Sequence, residues 1–245
     1  LQSSNNNQNQ QHNNQNHSND IISSLTNYSN IPPCTLYHQK ITSENNRNNQ
    51  KMKQITLSAE FTNIPLKRFK EILFDDTSFQ YGVQTQQGHR DVNIDPWQVV
   101  QNDGTVIVKV REISFESPVD ASPAIKKIVG MDYTLCHTTA KMTVQGKQLN
   151  SSDVDDRVVI DRMEVETVMV IKNGVLKDCL FVTVKWTAVP KADDVGSTLL
   201  QQQVTCEYKG WVPLVGSKIE NSSLVSAENS FNNWVVKAKL RCSEA

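Results

Sequence analysis

Residues 217–240, SKIENSSLVSAENSFNNWVVKAKL, place Leu224, Ala227, Phe231, Trp234 and Ala238 at three- and four-residue steps. That spacing puts one apolar stripe along an amphipathic helix. Ser217 followed by Glu220 matches a capping box, in which hydroxyl and carboxylate each take a free backbone N–H, so the helix is expected to begin at Ser217. The Asn and Ser residues of the stretch lower its intrinsic helicity, so packing must hold it.

Upstream of this helix the apolar pattern changes to period two. Lys53 to Phe61 alternates Ile55, Leu57, Ala59 and Phe61 with polar neighbours, and Thr134 to Val144 places Cys136, Thr138, Ala140, Met142 and Val144 on one face. In Arg157 to Ile171, Val159, Met163, Val165, Thr167, Met169 and Ile171 oppose Arg162, Glu164 and Glu166, a strand with one wet face. Leu180, Val182, Val184, Trp186 and Ala188 share a face in the next run, and Leu199 to Tyr208 is the last strand. Asn102-Asp103-Gly104 and Asn173-Gly174 are hairpin signals, the first joining Trp97–Gln101 to Thr105–Phe115. Asp193-Asp194-Val195-Gly196 reads as another turn. Pro65 precedes Leu66, Phe69, Ile72 and Leu73 at helical spacing, predicting a short helix that stops near Asp75 and Asp76, followed by a polar loop containing Gly82 and Gly88.

One short helix, a succession of strands and one long terminal helix describe an α+β fold. Its antiparallel sheet curves around the helix, and the space between them can hold a lipid-sized cavity.

The chain has 245 residues and a formal net charge of −1, without the basic surface that phosphate neutralisation in nucleic acids requires. Residues 1–52, rich in Asn and Gln, lack apolar side chains to offset chain ordering and read as disordered, with Ile21, Ile22, Leu25, Tyr28, Ile31 and Leu36 forming a candidate docking motif. Residues 53–245 form the single domain. The chain begins with Leu1, which points to a piece of a longer protein.

Cys34, Cys136, Cys179, Cys206 and Cys242 are scattered and form no C-x-x-C pair, which suits free thiols in a reducing, cytosolic setting. No apolar run of about 18 residues and no signal peptide appears. His137 has no second ligand at metal spacing, and Asp153, Asp155 and Asp156 lack an EF-hand order. There is no nucleophile elbow, P-loop or dinucleotide fingerprint, which argues against an enzyme. Arg111 and Glu112 are the pair a related enzymatic fold would place in its pocket.

Further residues carry a family resemblance. They are Leu73-Phe74-Asp75-Asp76 with Ser78-Phe79, Trp97, Arg111 with Phe115 and Pro118, and Gly130 with Thr134-x-Cys136-x-x-Thr139. Val204-x-Cys206-x-Tyr208-Lys209 and Lys218-Ile219-Glu220 complete the set. In this order over Ile55 to Leu240, the chain resembles the VASt domain, a StART-like module of sterol transporters at membrane contact sites. The resemblance implies a helix-grip fold, no cofactor, a sterol or other lipid as ligand, and transient contact of a monomeric domain with a membrane surface. It also implies a setting on the cytoplasmic side, at endoplasmic reticulum contact sites where a GRAM domain and a membrane anchor accompany the domain.

On that basis Val165, Met169, Val182, Val184, Trp186, Phe231 and Trp234 are the candidate cavity residues. The segment from Pro118 to Gly130 is the candidate gate, in which Ile125 and Ile128 would enter a bilayer while Lys126 and Lys127 meet its headgroups. Gly130-Met131-Asp132 stands where such domains carry Gly-Pro-Lys, replacing a membrane-contact lysine with an acid. The rival reading is a scaffold domain with a filled core. A connected apolar void of several hundred Å³ would separate the two.

Overall fold

A computed structural model of the protein describes residues 37–45, 51–119, 123, 126–127, 130–148, 158–210 and 213–244. The candidates Ile125, Ile128, Asp153, Asp155 and Asp156, and the apolar residues from Ile21 to Leu36, lie outside them.

The described domain is one antiparallel sheet with its helices on one face. The strands are β1 (Tyr37–Asn45), β2 (Lys51–Phe61), β3 (Arg90–Ile94), β4 (Gln98–Asn102), β5 (Val106–Pro118), β6 (Tyr133–Gln148), β7 (Val158–Ile171), β8 (Leu180–Lys191) and β9 (Asp194–Tyr208). Their order is β1-β2-β9-β8-β7-β6-β5-β3, with β4 also paired to β5. The helices are α1 (Leu66–Lys70), α2 (Thr77–Gln86) and α3 (Pro213–Glu244). The helix-grip expectation holds: a long terminal helix lies in the grip of the sheet, resting chiefly on β2 and β9.

Four differences from the sequence reading have local causes. Part of the segment expected to be disordered to residue 52 is β1, which pairs with β2 from Tyr37↔Ser58 to Asn45↔Lys51. The polar loop after Asp76 is helix α2, because the Asp76 carboxylate accepts from Ser78 N at 2.8 Å and caps the first turn. The terminal helix begins at Pro213, not Ser217. Pro213 occupies a first-turn position that needs no N–H donor. Ser217 Oγ instead accepts from Lys53 Nζ at 2.6 Å, and Glu220 Oε1 accepts from Tyr208 N at 3.3 Å, so the apparent capping box ties α3 to the sheet.

The fourth difference is a bulge. β6 and β7 lose register between Gln145↔Arg162 and Gly146↔Ile160, leaving Asp161 as the extra residue. Alternation therefore inverts below it, so Ile160 is buried while Val159, expected inside, is 46% exposed.

The two hairpin signals fare differently. Asp103-Gly104 does join paired strands, with Asp103 Oδ1 accepting from Thr105 N and Val106 N. Asn173-Gly174 opens a longer link through a 3₁₀ turn at Gly174–Leu176, because Asn173 stays extended at φ −136° and only Gly174, at +64°, is left-handed. A Cβ on Gly174 would also meet Met131 Cε at 2.5 Å.

Candidate lipid-binding cavity

The registers of β5 to β9 stack the inward residues in rungs across the concave face. One rung runs Lys109–Met142–Val165–Trp186–Gln202, the next Arg111–Ala140–Thr167–Val184–Val204, and the next Ile113–Thr138–Met169–Val182–Cys206. Period-two alternation guarantees that these residues share a face.

What covers them is uneven. At one end α1 and the π-turn after it, Glu71–Asp75, bury Phe69, Ile72, Leu73 and Phe74. Trp234 packs there against Phe61, Phe69, Phe74, Phe79 and Trp186, with ring centroids 4.8–6.5 Å apart in edge and tilted arrangements. α3 leans chiefly on β2 and β9 and α1 on β7 to β9, and the helices do not fill the whole space above the rungs of β5 to β8. A cavity of about 400 Å³ lies there, a volume within the usual range for small-ligand sites.

Val165, Met169, Val182, Val184, Trp186, Phe231 and Trp234 all line this cavity. Of the expected gate, Pro118 lines it with Val119, while Lys126, Lys127 and Gly130 are exposed. The base of that segment is closed by Val119 N donating to Asp132 O at 2.8 Å, and Gly130 N donates to Lys126 O at 2.8 Å. Asp132 is exposed beside it.

The polar part of the lining was not foreseen. Ser222, Ser223, Ser226 and Ser230 present a hydroxyl strip from α3, and Gln80 and Gln84 of α2 line the cavity with Gln87, which follows that helix. The helical spacing of the serines was readable, but an amphipathic reading weights apolar positions and assigns serines to solvent. His89 stacks on Phe115 at 4.5 Å and hydrogen-bonds Gln84, and burial pushes its pKa down to about 4, so it is neutral near pH 7. Gln202 Oε1 is buried and has no partner among the described residues.

Arg111 and Glu112 do not converge in a pocket. Alternation turns Arg111 inward, 4% exposed, and Glu112 outward, where its Oε2 accepts from Thr139 Oγ1 at 3.1 Å and lies 3.4 Å from His137 Nε2. Arg111 Nη2 donates to Gln80 Oε1, and its guanidinium covers the Trp97 ring at 4.1 Å. Burial lowers its pKa to about 10, which leaves it charged. Burial also raises the thiols of Cys136, Cys206 and Cys242 to about 11, 12 and 11, so they pack as small apolar groups.

Among the described residues no helix is long and apolar enough to cross a membrane, and no cluster of three or more His, Cys, Asp or Glu could hold a metal ion.

Comparison with solved structures finds distant likenesses. A START-superfamily protein from Mycobacterium smegmatis is 15% identical, covering 78% of this chain and 97% of its own, with a TM-score of 0.36. The human StarD13 lipid transfer and protein localization domain is 10% identical over 94% of this chain and 96% of its own, with a TM-score of 0.32. No curated protein matched the chain. The sequence profile described as the VAD1 Analog of StAR-related lipid transfer domain matches residues 55–225, from β2 into α3 and across every strand of the cavity wall. Matching well over half of the sequence, that profile establishes that the chain belongs to the VASt family.

Proposed function

We propose that the domain is a non-enzymatic carrier that takes one lipid from a membrane, shields it between sheet and terminal helix, and releases it to another, with a sterol as the cargo the family resemblance suggests. The observation that carries this reading is the cavity of about 400 Å³ lined by the inward residues of β5 to β8 and α3. A domain kept only as a scaffold has no need of unfilled interior volume, because a void forfeits packing contacts on every wall. Burial returns roughly 25 cal/mol per Å² of apolar surface, and the bilayer offers a lipid the same gain. Exchange between membranes is therefore near balance and needs no energy source.

In this reading the Pro118–Gly130 segment gates the cavity, and the exposed Lys126 and Lys127 meet anionic headgroups. The test is transfer of a fluorescent sterol from donor to acceptor liposomes by the purified chain. Val184→Trp, which directs an indole into the void, is the blocked variant, and Phe231→Asp is the severe one, its fold checked by circular dichroism. Saturable transfer by the wild type, lost in a folded Val184→Trp protein, is the expected result. Absence of binding and transfer for sterols and phospholipids alike, from a folded protein, would return the domain to the scaffold class.

A further inference from the structure

Arg111 is 96% buried in the wall of an otherwise largely apolar cavity, and its Nε and Nη1 have no hydrogen-bond partner among the described residues. Its other contacts do not account for these donors. Gln80 takes Nη2, and Trp97 covers the flat face of the guanidinium, whereas N–H groups point outward in its plane. Buried arginine is normally paired through such donors, because they are rigid and always charged.

The surrounding charge is equally incomplete. Asp75 is the carboxylate that acts on Arg111, and it also pairs with Lys70 and, at 3.5 Å, with Lys109. Three cations thus share one carboxylate, whose Oδ1 is also buried with no hydrogen-bond partner among the described residues. Surplus positive charge around Asp75 and two unpartnered N–H donors on Arg111 favour an anion. Seven residue steps along β5 carry the strand from Arg111 to Pro118, about 23 Å at strand rise. A ligand with its headgroup at Arg111 has its apolar body between there and the expected gate.

We infer that Arg111, Gln80 and the apolar rungs of β6 to β8 form a subsite for an amphiphile with an anionic headgroup, a carboxylate, sulfate or phosphate ester, which enters headgroup first. This rests on the carrier reading and narrows its cargo by charge. A neutral hydroxyl leaves the charge surplus in place. An anion removes it and accepts from Nε and Nη1.

Cholesterol sulfate and cholesterol share a ring system and differ in headgroup charge, so they make the test. Their binding to the purified chain is measured by competition with a fluorescent sterol in the absence of membranes. The expected result is about tenfold or tighter preference for the sulfate, the size of a charge-assisted hydrogen bond. Arg111→Met is expected to abolish the preference, read as the ratio of the two affinities, and Arg111→Lys, with the charge kept and the planar fork lost, to retain part of it. Melting curves confirm that each variant is folded.

Equal or weaker binding of the sulfate by the wild type overturns the subsite and leaves the carrier intact. Failure to bind cholesterol, its sulfate and oleate overturns the carrier reading, and the subsite with it. Displacement of cholesterol sulfate by inorganic sulfate alone would assign Arg111 to a free anion, overturning the headgroup. A preference that survives in folded Arg111→Met would overturn the subsite.

Discussion

Trp234→Ala is the perturbation that most directly tests how this interior is organised. The indole is 8% exposed and meets five aromatic rings contributed by β2, α1, the π-turn, α2 and β8. Truncating a buried aromatic residue to alanine costs about 3–5 kcal/mol, and the cost rises when the space cannot collapse. Trp234 already borders the cavity, so the space it vacates joins an existing void, and the upper half of that range is expected.

Against a total stability of about 5–15 kcal/mol, this is a large fraction. With a urea dependence of about 2 kcal/mol per molar, the unfolding midpoint should fall by roughly 2 M. Far-ultraviolet circular dichroism is the readout, since the change removes one of the four tryptophans and would alter fluorescence by itself. Val225→Ala, 59% exposed on the same helix, is the control and should stay within about 0.5 kcal/mol. A loss below about 1 kcal/mol for Trp234→Ala would refute the hub.

Two further outcomes follow from the same structure. His89 titrates near 4 in the fold and near 6.5 when unfolded, so the unfolded chain binds the proton first as pH falls. Its contribution is complete above pH 6.5 and is lost progressively toward pH 4; His89→Phe, which keeps the stack on Phe115, should flatten the melting temperature across that window, and an unchanged slope would remove His89 as its source. Ile160→Ala should cost about 2 kcal/mol or more and Val159→Ala little, measured by urea unfolding, because the bulge at Asp161 turns Ile160 inward; the reverse ranking would place the strand in simple alternation.

Much of the cavity wall was legible because a strand's side-chain period is local. Once Val165, Val184 and Trp186 alternate with polar neighbours, the pleat alone puts Met169 and Val182, at even steps from them, on the same face. Phe231 and Trp234 were legible for the same reason at period 3.6. The polar lining was not, because a serine facing solvent and a serine facing a cavity have the same sequence. Arg111 stood out in the family pattern, yet nothing local says that its donors lack partners.

The amino-acid sequence by itself determined the order of the elements, the inward faces of the central strands and the apolar stripe of the terminal helix, all of which follow from residue periodicity within one segment. Only the tertiary structure decided where that helix begins, since Ser217 and Glu220 are taken by Lys53 and Tyr208 across the sheet. It alone decided that the register slips at Asp161, because a bulge is a property of two strands together. The cavity belongs to the same class: it exists because α3 settles chiefly on β2 and β9 and α1 on β7 to β9 without filling the space above the central rungs, and no single segment encodes a volume lined by several.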